Sequence, residues 1–192
     1  MRDCDCIIPA AGRSQRMGAW KPLLPFGGSS LIQTVVEAAL DSCARVLLVV
    51  GYRGDELAAL FGSVPRVELV DNRAWAAGMF GSIQRAAARV RTRRFFVTLG
   101  DMPWITPAVY RALRAGDETS TVVFPVFGGR RGHPVLFPEP ALPVIAAADP
   151  ASASMRLIAE LFPVRLLPWP DDSILRDVDT ADDLRRPPGA SD

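Results

Sequence analysis

Cys6-Ile7-Ile8-Pro9-Ala10-Ala11-Gly12-Arg13-Ser14-Gln15-Arg16-Met17-Gly18-Ala19-Trp20-Lys21 is a short apolar run that breaks into a glycine-bearing, cationic loop, and this junction decides the fold. Cys6-Ile7-Ile8 reads as a short buried strand. The chain from Ala10 to Gly18, and again from Pro22 to Gly28, is too rich in Gly and Pro for regular structure. Gly12 and Gly18 let backbone amides approach a phosphate chain, and Arg13, Arg16 and Lys21 bring three positive charges within its reach. The loop therefore has the composition of a polyphosphate cradle, with an ordinary surface turn as the alternative. Its spacing is neither that of a P-loop, which needs Lys directly after the second Gly and then Ser or Thr, nor that of G-x-G-x-x-G.

Outward from this junction, Ser29 or Ser30 can cap a helix carrying Leu31, Val35, Ala38 and Ala39 on one face. Val46 to Val50 is a second strand, Asp55 to Phe61 a short helix, and Val67 to Val70 a third strand. Ser82 to Arg91 is a further helix and Phe95 to Leu99 a fourth strand. Alternating strands and helices argue for parallel strands with right-handed crossovers, hence an α/β sheet covered on both faces. From Pro107 the rhythm loosens. A helix runs to about Ala115, strands span Thr121 to Pro125 and Pro134 to Phe137 around a turn at Gly128-Gly129, and helices lie near 142–148 and 152–161. A strand at Val164 to Leu167 comes next, then a last strand and short helix between Leu175 and Leu184. The tail from Arg186 to Asp192 is expected to fray.

A chain of 192 residues has the length of one domain. Hydrophobic residues at 49% and charged residues at 22% are those of a folding globular sequence. A net charge of +1 supplies no global field for nucleic acid or an anionic membrane, so any anion site must be local. No apolar run reaches the length of a membrane span, and the N-terminus has no signal-peptide hydrophobic region, which points to a cytoplasmic protein. Three cysteines are too few and too unevenly spaced for a disulfide framework. Cys4 and Cys6 alternate into an apolar run and read as strand residues, not metal ligands.

Ligands of open α/β sheets bind at the carboxyl ends of strands. Gly100-Asp101-Met102-Pro103 comes directly after the strand Phe95 to Leu99, where the Asp101 carboxylate can hold Mg²⁺ against phosphate oxygens. Its distance from Thr106 and the intervening Pro103 argue against a helix-capping role. A second acidic cluster, Asp177-Val178-Asp179-Thr180-Ala181-Asp182-Asp183, points Asp177 and Asp179 one way and Val178 the other. Thr180 or Asp179 can cap the final helix, with Asp182 and Asp183 as solvated first-turn residues. His133, the single histidine, is fixed by Gly132-His133-Pro134 at a strand entrance. Without a nucleophile motif nearby it reads as a substrate contact or a turn stabiliser, not a triad member.

Taken together, the Ile7–Lys21 stretch, Gly51-Tyr52-Arg53-Gly54-Asp55-Glu56-Leu57, Gly78-Met79 with Ser82, Gly100-Asp101-Met102-Pro103, Gly132-His133-Pro134 and Asp177-Val178-Asp179-Thr180 resemble the MobA-like nucleotidyltransferase superfamily. They are closest to its molybdenum cofactor cytidylyltransferases (MocA). The resemblance runs from the first strand to the last helix and implies one domain over residues 1–185. It implies a Rossmann-like three-layer α/β/α fold of the nucleotide-diphospho-sugar transferase type, mostly parallel with an antiparallel element in the C-terminal half.

The activity it implies is transfer of CMP from CTP to the phosphate of molybdopterin cofactor, with Mg²⁺, or Mn²⁺ as an alternative. Carried over residue by residue, Ala10, Ala11, Gly12, Arg13, Ser14 and Gly18 wrap the triphosphate. Arg16 and Lys21 compensate its charge, with Lys21 nearest the α-phosphate. Asp101 and Asp179 hold the metal, Asp177 competing with Asp179 for that place. Gly78 and Ser82 contact base and ribose, and His133 and Pro134 lie on the pterin side. Guanylyltransferase relatives carry Gly-Gly where this chain has Ala11-Gly12, which favours CTP over GTP. A sugar- or alcohol-phosphate acceptor, and a cofactor carrier for a molybdenum hydroxylase docking on the Pro138–Pro170 region, are the competing readings.

Overall fold

The first strand, β1 (Asp5–Pro9), is buried along most of its length, and its alternation feeds two separate layers of side chains. Cys6 and Ile8 pack into one apolar cluster and Ile7 into the other. The computed structural model describes residues 3–13, 20–116, 119–180 and 182–185. After β1 come a two-residue hairpin, β2 (Pro25–Phe26) with β3 (Ser29–Ser30), and then α1 (Leu31–Ser42), β4 (Arg45–Val50), α2 (Gly54–Phe61) and β5 (Val67–Asp71). They are followed by α3 (Met79–Ala87), β6 (Arg94–Val97), α4 (Pro107–Arg114), β7 (Val122–Phe127), β8 (Arg130–Arg131) and β9 (Val135–Pro138). The chain continues through α5 (Ala141–Ala147), α6 (Met155–Ala159) and β10 (Val164–Pro168).

The main sheet has the order β10-β7-β9-β6-β1-β4-β5, with β8 paired to β7. The pairs β5–β4, β4–β1, β1–β6 and β7–β10 are parallel, whereas β9 runs antiparallel to both β6 and β7. This is the mostly parallel sheet with an antiparallel element in the C-terminal half that the resemblance implies. Helices α1, α2 and α4 supply Leu31, Val35, Leu57, Phe61, Val109 and Leu113 to the cluster on one face. Helices α3, α5 and α6 supply Phe80, Ile83, Ile145 and Ile158 to the other. Such double coverage explains the near-continuous apolar runs of β1 and β4. Where the sheet starts, the buried Asp5 carboxylate accepts from Arg45 and from the Arg91 backbone N–H, so its charge is paired.

Three local expectations change. Helix α3 begins at Met79, not Ser82, and ends at Ala87, because Gly78, at φ +119°, makes the turn that starts it. Helix α6 is confined to Met155–Ala159, with Ser154 as its cap. No strand forms after Leu175 among the described residues: residues 176–179 pair with no strand of the sheet, and the Val178 N–H donates to the Asp101 carbonyl at 2.9 Å. A burial pattern with Val178 inside and Asp177 exposed has the period of a strand, but here a loop supplies the partner. The tail 186–192 lies outside the described residues, and no helix among those described is long and apolar enough to cross a membrane.

Ser30 is the cap of α1. Its hydroxyl accepts from the Gln33 N–H, and the Gln33 side chain accepts from the Ser30 N–H, a reciprocal capping box. Ser30→Ala should cost about 1 kcal/mol of stability, read as a lower urea midpoint with an unchanged denaturant slope; an unchanged midpoint refutes the cap.

Candidate active site

Chain order reverses at β1, with β4 and β5 laid down on one side and β6 on the other. Such a reversal leaves a crevice at the carboxyl ends of the two central strands. A cavity of about 390 Å³ opens there. Its floor is Pro9, Ala10, Ala11, Gly12 and Arg13 from the end of β1, and Leu99, Gly100 and Asp101 from the end of β6. Lys21 and Pro22 close one side, and Trp75, Ala76, Gly78, Met79 and Ser82 the other.

Lys21 is the centre of the charge distribution. It opens the short 3-10 turn Lys21–Leu23, and its Nζ lies 2.6 Å from Asp179 Oδ1 and 3.6 Å from Asp101 Oδ2. The Lys21 side chain is only 11% exposed, against 32% for Asp101 and 41% for Asp179. Burial raises the pKa of Asp101, the Lys21 ammonium lowers it, and the Asp177 and Asp179 carboxylates raise it again, leaving it above the ordinary value. Two carboxylates thus pair with one ammonium, and a third, Asp177, acts on Asp101. Asp179 is held in turn by its own segment. The Asp183 carboxylate accepts from the N–H groups of Asp179 and Thr180 and from the Thr180 hydroxyl, and Thr180 Oγ1 accepts from the Asp183 N–H. Thr180 is therefore the cap expected from the sequence. Asp183, by contrast, is more than a solvated first-turn residue: it clamps the turn that presents Asp179, and these bonds lower its pKa.

Ala10, Ala11, Gly12, Arg13, Lys21, Gly78, Ser82 and Asp101, all singled out from sequence, meet at this one cavity. Ser14, Arg16 and Gly18 lie outside the described residues. Asp101 caps no helix: the cap position of α4 belongs to Thr106. His133 and Pro134 are absent from the cavity lining. They precede β9, whose Val135 is paired with Val97 of β6, so they stand at the same edge of the sheet as Asp101. The His133 N–H donates to the Ile174 carbonyl, and burial pushes the imidazole pKa down to about 4.

Sequence reasoning misses two features. One is an aromatic series at the strand ends: Trp20 against Tyr52 at 6.2 Å and Tyr52 against Trp75 at 5.6 Å, both edge-on. Arg53 lies 4.8 Å over the Trp20 ring and Arg13 5.8 Å over Tyr52. The Trp20 indole N–H also donates to the Gly12 carbonyl at 3.2 Å, joining residues on either side of the 14–19 segment. The other is Asn72, 1% exposed, which bonds the buried Ser82. Trp20 and Tyr52 lie in stretches quoted above, but nothing local shows that they meet Trp75, and Asn72 belongs to no such stretch. Gly51 is the spacer they share, since a Cβ there would stand 2.9 Å from Ala11 Cβ, the Asn72 carbonyl oxygen and Trp75 Cβ.

The comparisons with known proteins agree with this geometry. The family described as MobA-like NTP transferase domain matches residues 6–165. A molybdenum cofactor cytidylyltransferase of Escherichia coli (strain K12) is 34% identical over 187 residues, covering 96% of this chain and 95% of that protein. Among solved structures, Rv0371c of Mycobacterium tuberculosis H37Rv superposes with a TM-score of 0.80 at 26% identity, over 96% of this chain and 97% of that one. Molybdopterin-guanine dinucleotide biosynthesis protein A of Archaeoglobus fulgidus shares the fold, with a TM-score of 0.68 at 20% identity over 95% of each chain.

The His133 shift sets a pH dependence. With a folded pKa of about 4 and an unfolded one near ~6.5, the unfolded chain binds the extra proton between those values. Stability from this group is complete above pH ~6.5 and is lost as pH falls toward 4. Between pH 7 and 5 the wild type should lose on the order of 1 kcal/mol more than His133→Gln, allowing for partial exposure of the ring. Urea midpoints at the two pH values check this; parallel losses in both proteins refute it.

Proposed function

The chain belongs to the MobA-like NTP transferase family, and from that premise we propose that it transfers CMP from CTP to the phosphate of molybdopterin cofactor, forming the cytosine dinucleotide and releasing pyrophosphate. The observation that carries the reading is the convergence of Lys21, Asp101 and Asp179 beside the Ala10–Arg13 turn, at the mouth of a cavity at the sheet's switch point. The 34% identical relative bears the name of this activity. In this reading the functional unit extends past residue 165 to about 185, since Asp179 and its Asp183 clamp complete the site.

The residues divide the work by charge and shape. The exposed turn at Gly12 and Arg13 receives the triphosphate, Arg16 and Lys21 offset its charge, and Gly78 and Ser82 border the nucleoside. A phosphate monoester has a second pKa near ~6, so the acceptor oxygen is already largely ionised at neutral pH and needs no protein base. Alignment and charge neutralisation remain, and preorganised cations supply them. Lys21 reaches the site already paired with carboxylates, so incoming phosphate oxygens can take their place without leaving the ammonium unpartnered. His133, neutral at pH 7, stands with Pro134 at the sheet edge where the acceptor must approach. It can donate one hydrogen bond there but adds no charge.

A divalent cation fits these residues. No group of three His, Cys, Asp or Glu gathers among the described residues, but Mg²⁺ characteristically takes one or two carboxylates and completes its shell with substrate phosphates and water. Asp101 and Asp179 are such a pair, with Asp177 close enough to act on Asp101. A bound Mg²⁺ or Mn²⁺ would supply Lewis-acid polarisation of the phosphate oxygens. The choice of CTP over GTP rests on Ala11, 3% exposed, whose methyl fills space beside Gly51 and Trp75 that glycine would leave to a larger base.

Pyrophosphate release is the test, from CTP and GTP in turn, with Mg²⁺, with and without molybdopterin cofactor. Cofactor-dependent release from CTP is the expected result. Preference for GTP would overturn the reading of Ala11, and binding of the cofactor without release from either nucleotide would make the chain a carrier. Lys21→Ala should lower kcat by ~10²-fold or more, as expected for a lost preorganised charge contact; near-normal turnover removes Lys21 from its assigned role.

A further inference from the structure

Ser82 borders the cavity from the first turn of α3 and is 2% exposed. Its partner is Asn72, the residue after β5, held by a bond from its own N–H to the Val50 carbonyl. Asn72 Oδ1 lies 3.1 Å from the Ala74 backbone nitrogen, and Asn72 Nδ2 lies 2.9 Å from Ser82 Oγ. A backbone N–H can only donate, so the amide atom facing Ala74 must be the oxygen. The atom facing Ser82 is therefore the NH₂ group, which has no capacity to accept. Orientation of the amide is thus set by the chain itself.

The consequence reaches the cavity. Ser82 Oγ must accept from Asn72, so its own proton is directed elsewhere, and no side-chain acceptor among the described residues takes that proton. We propose that Asn72 is a positioning residue that fixes the polarity of Ser82, so that the cavity offers the nucleoside a hydrogen-bond donor at this point and selects an acceptor atom there. On cytosine the matching atoms are O2 and N3, whereas its amino group would leave the Ser82 proton unpaired and is disfavoured there. The inference rests on the nucleotide reading above and deepens it by assigning the chemical complement of one wall of the site.

Asn72→Asp tests it with almost no change of shape. The carboxylate still accepts from the Ala74 N–H, but it now also accepts from Ser82, turning the hydroxyl proton away from the ligand. Calorimetric titration with CTP and steady-state kinetics should show Kd and KM for CTP raised about tenfold, the scale of one lost hydrogen bond, with kcat changed less than about threefold. Ser82→Ala, which leaves the Asn72–Ala74 bond in place, should give a similar rise. In the Ser82→Ala background, Asn72→Asp should add less than about twofold.

An Asn72→Asp or Ser82→Ala protein that binds CTP as the wild type does overturns the inference while the nucleotide reading stands. A further large loss from Asn72→Asp in the Ser82→Ala background also overturns it, because the new charge would then act on the ligand without Ser82. A wild type that binds no CTP removes the nucleotide reading, and the inference falls with it. A lower melting temperature of Asn72→Asp is read separately and leaves the Ser82→Ala comparison decisive.

Discussion

An ammonium group taken out of water must find anions, and Lys21 finds them on two segments far away in the chain. Its Nζ is 2.6 Å from Asp179, 158 residues later, and 3.6 Å from Asp101. An isolated charge at this depth costs several kcal/mol, so the turn at Lys21, the loop after β6 and the C-terminal segment are held together by the need to pair it. The strand order makes this possible. Parallel neighbours β1 and β6 end at the same edge of the sheet, and the bond from the Val178 N–H to the Asp101 carbonyl brings Asp179 to that edge as well. The pairing adds little net stability, because desolvation offsets most of the attraction. It contributes position instead.

Charge at this point is out of balance in a useful direction. Asp101 has its proton affinity raised by burial and by two neighbouring carboxylates, against the single opposing Lys21. Under the proposed function, carboxylates gathered at this point favour a ligand that brings its own cation. In that reading a nucleoside triphosphate carried with a divalent ion would do so, the ion meeting the carboxylates and the phosphates meeting Lys21 and Arg13. A free anion would gain from Lys21 but lose against Asp101 and Asp179. Under the proposed function the same acidic cluster would favour a metal-bound nucleotide over bare phosphate, which an all-basic cradle would not do.

How legible each part is in the sequence depends on the range of the interactions that fix it. Strands β1, β4 and β6 are plain because continuous apolar runs must be buried on both faces, and the cap at Ser30 because its bonds span three residues. Lys21, Asp101 and Gly78 are legible as punctuation at strand and helix ends. The segment around Val178 reads as a strand because its alternation of exposed and buried residues is real, but that alternation is imposed by the Asp101 loop instead of a ladder. Asn72 escapes notice because its side chain joins its own turn at Ala74 to Ser82 on another element, and nothing in Val70-Asp71-Asn72-Arg73 marks it apart from a turn.

The aromatic series at the strand ends explains how the cavity keeps its shape where the chain leaves β1, β4 and β5. Trp20 comes after the 14–19 loop, Tyr52 after β4 and Trp75 after β5, so each ring belongs to a different crossover. Edge-on contacts of this kind are worth about 0.5–1.5 kcal/mol beyond the area they bury, and Arg53 over Trp20 adds a cation–π attraction. The Trp20 indole N–H on the Gly12 carbonyl ties the described residues on either side of the 14–19 segment to each other. Gly51 lets these pieces approach, its missing Cβ leaving room for Ala11, Asn72 and Trp75 together. Gly12 and Trp20 are therefore fixed to each other, and the cavity wall at Trp75 is anchored to the same ring system.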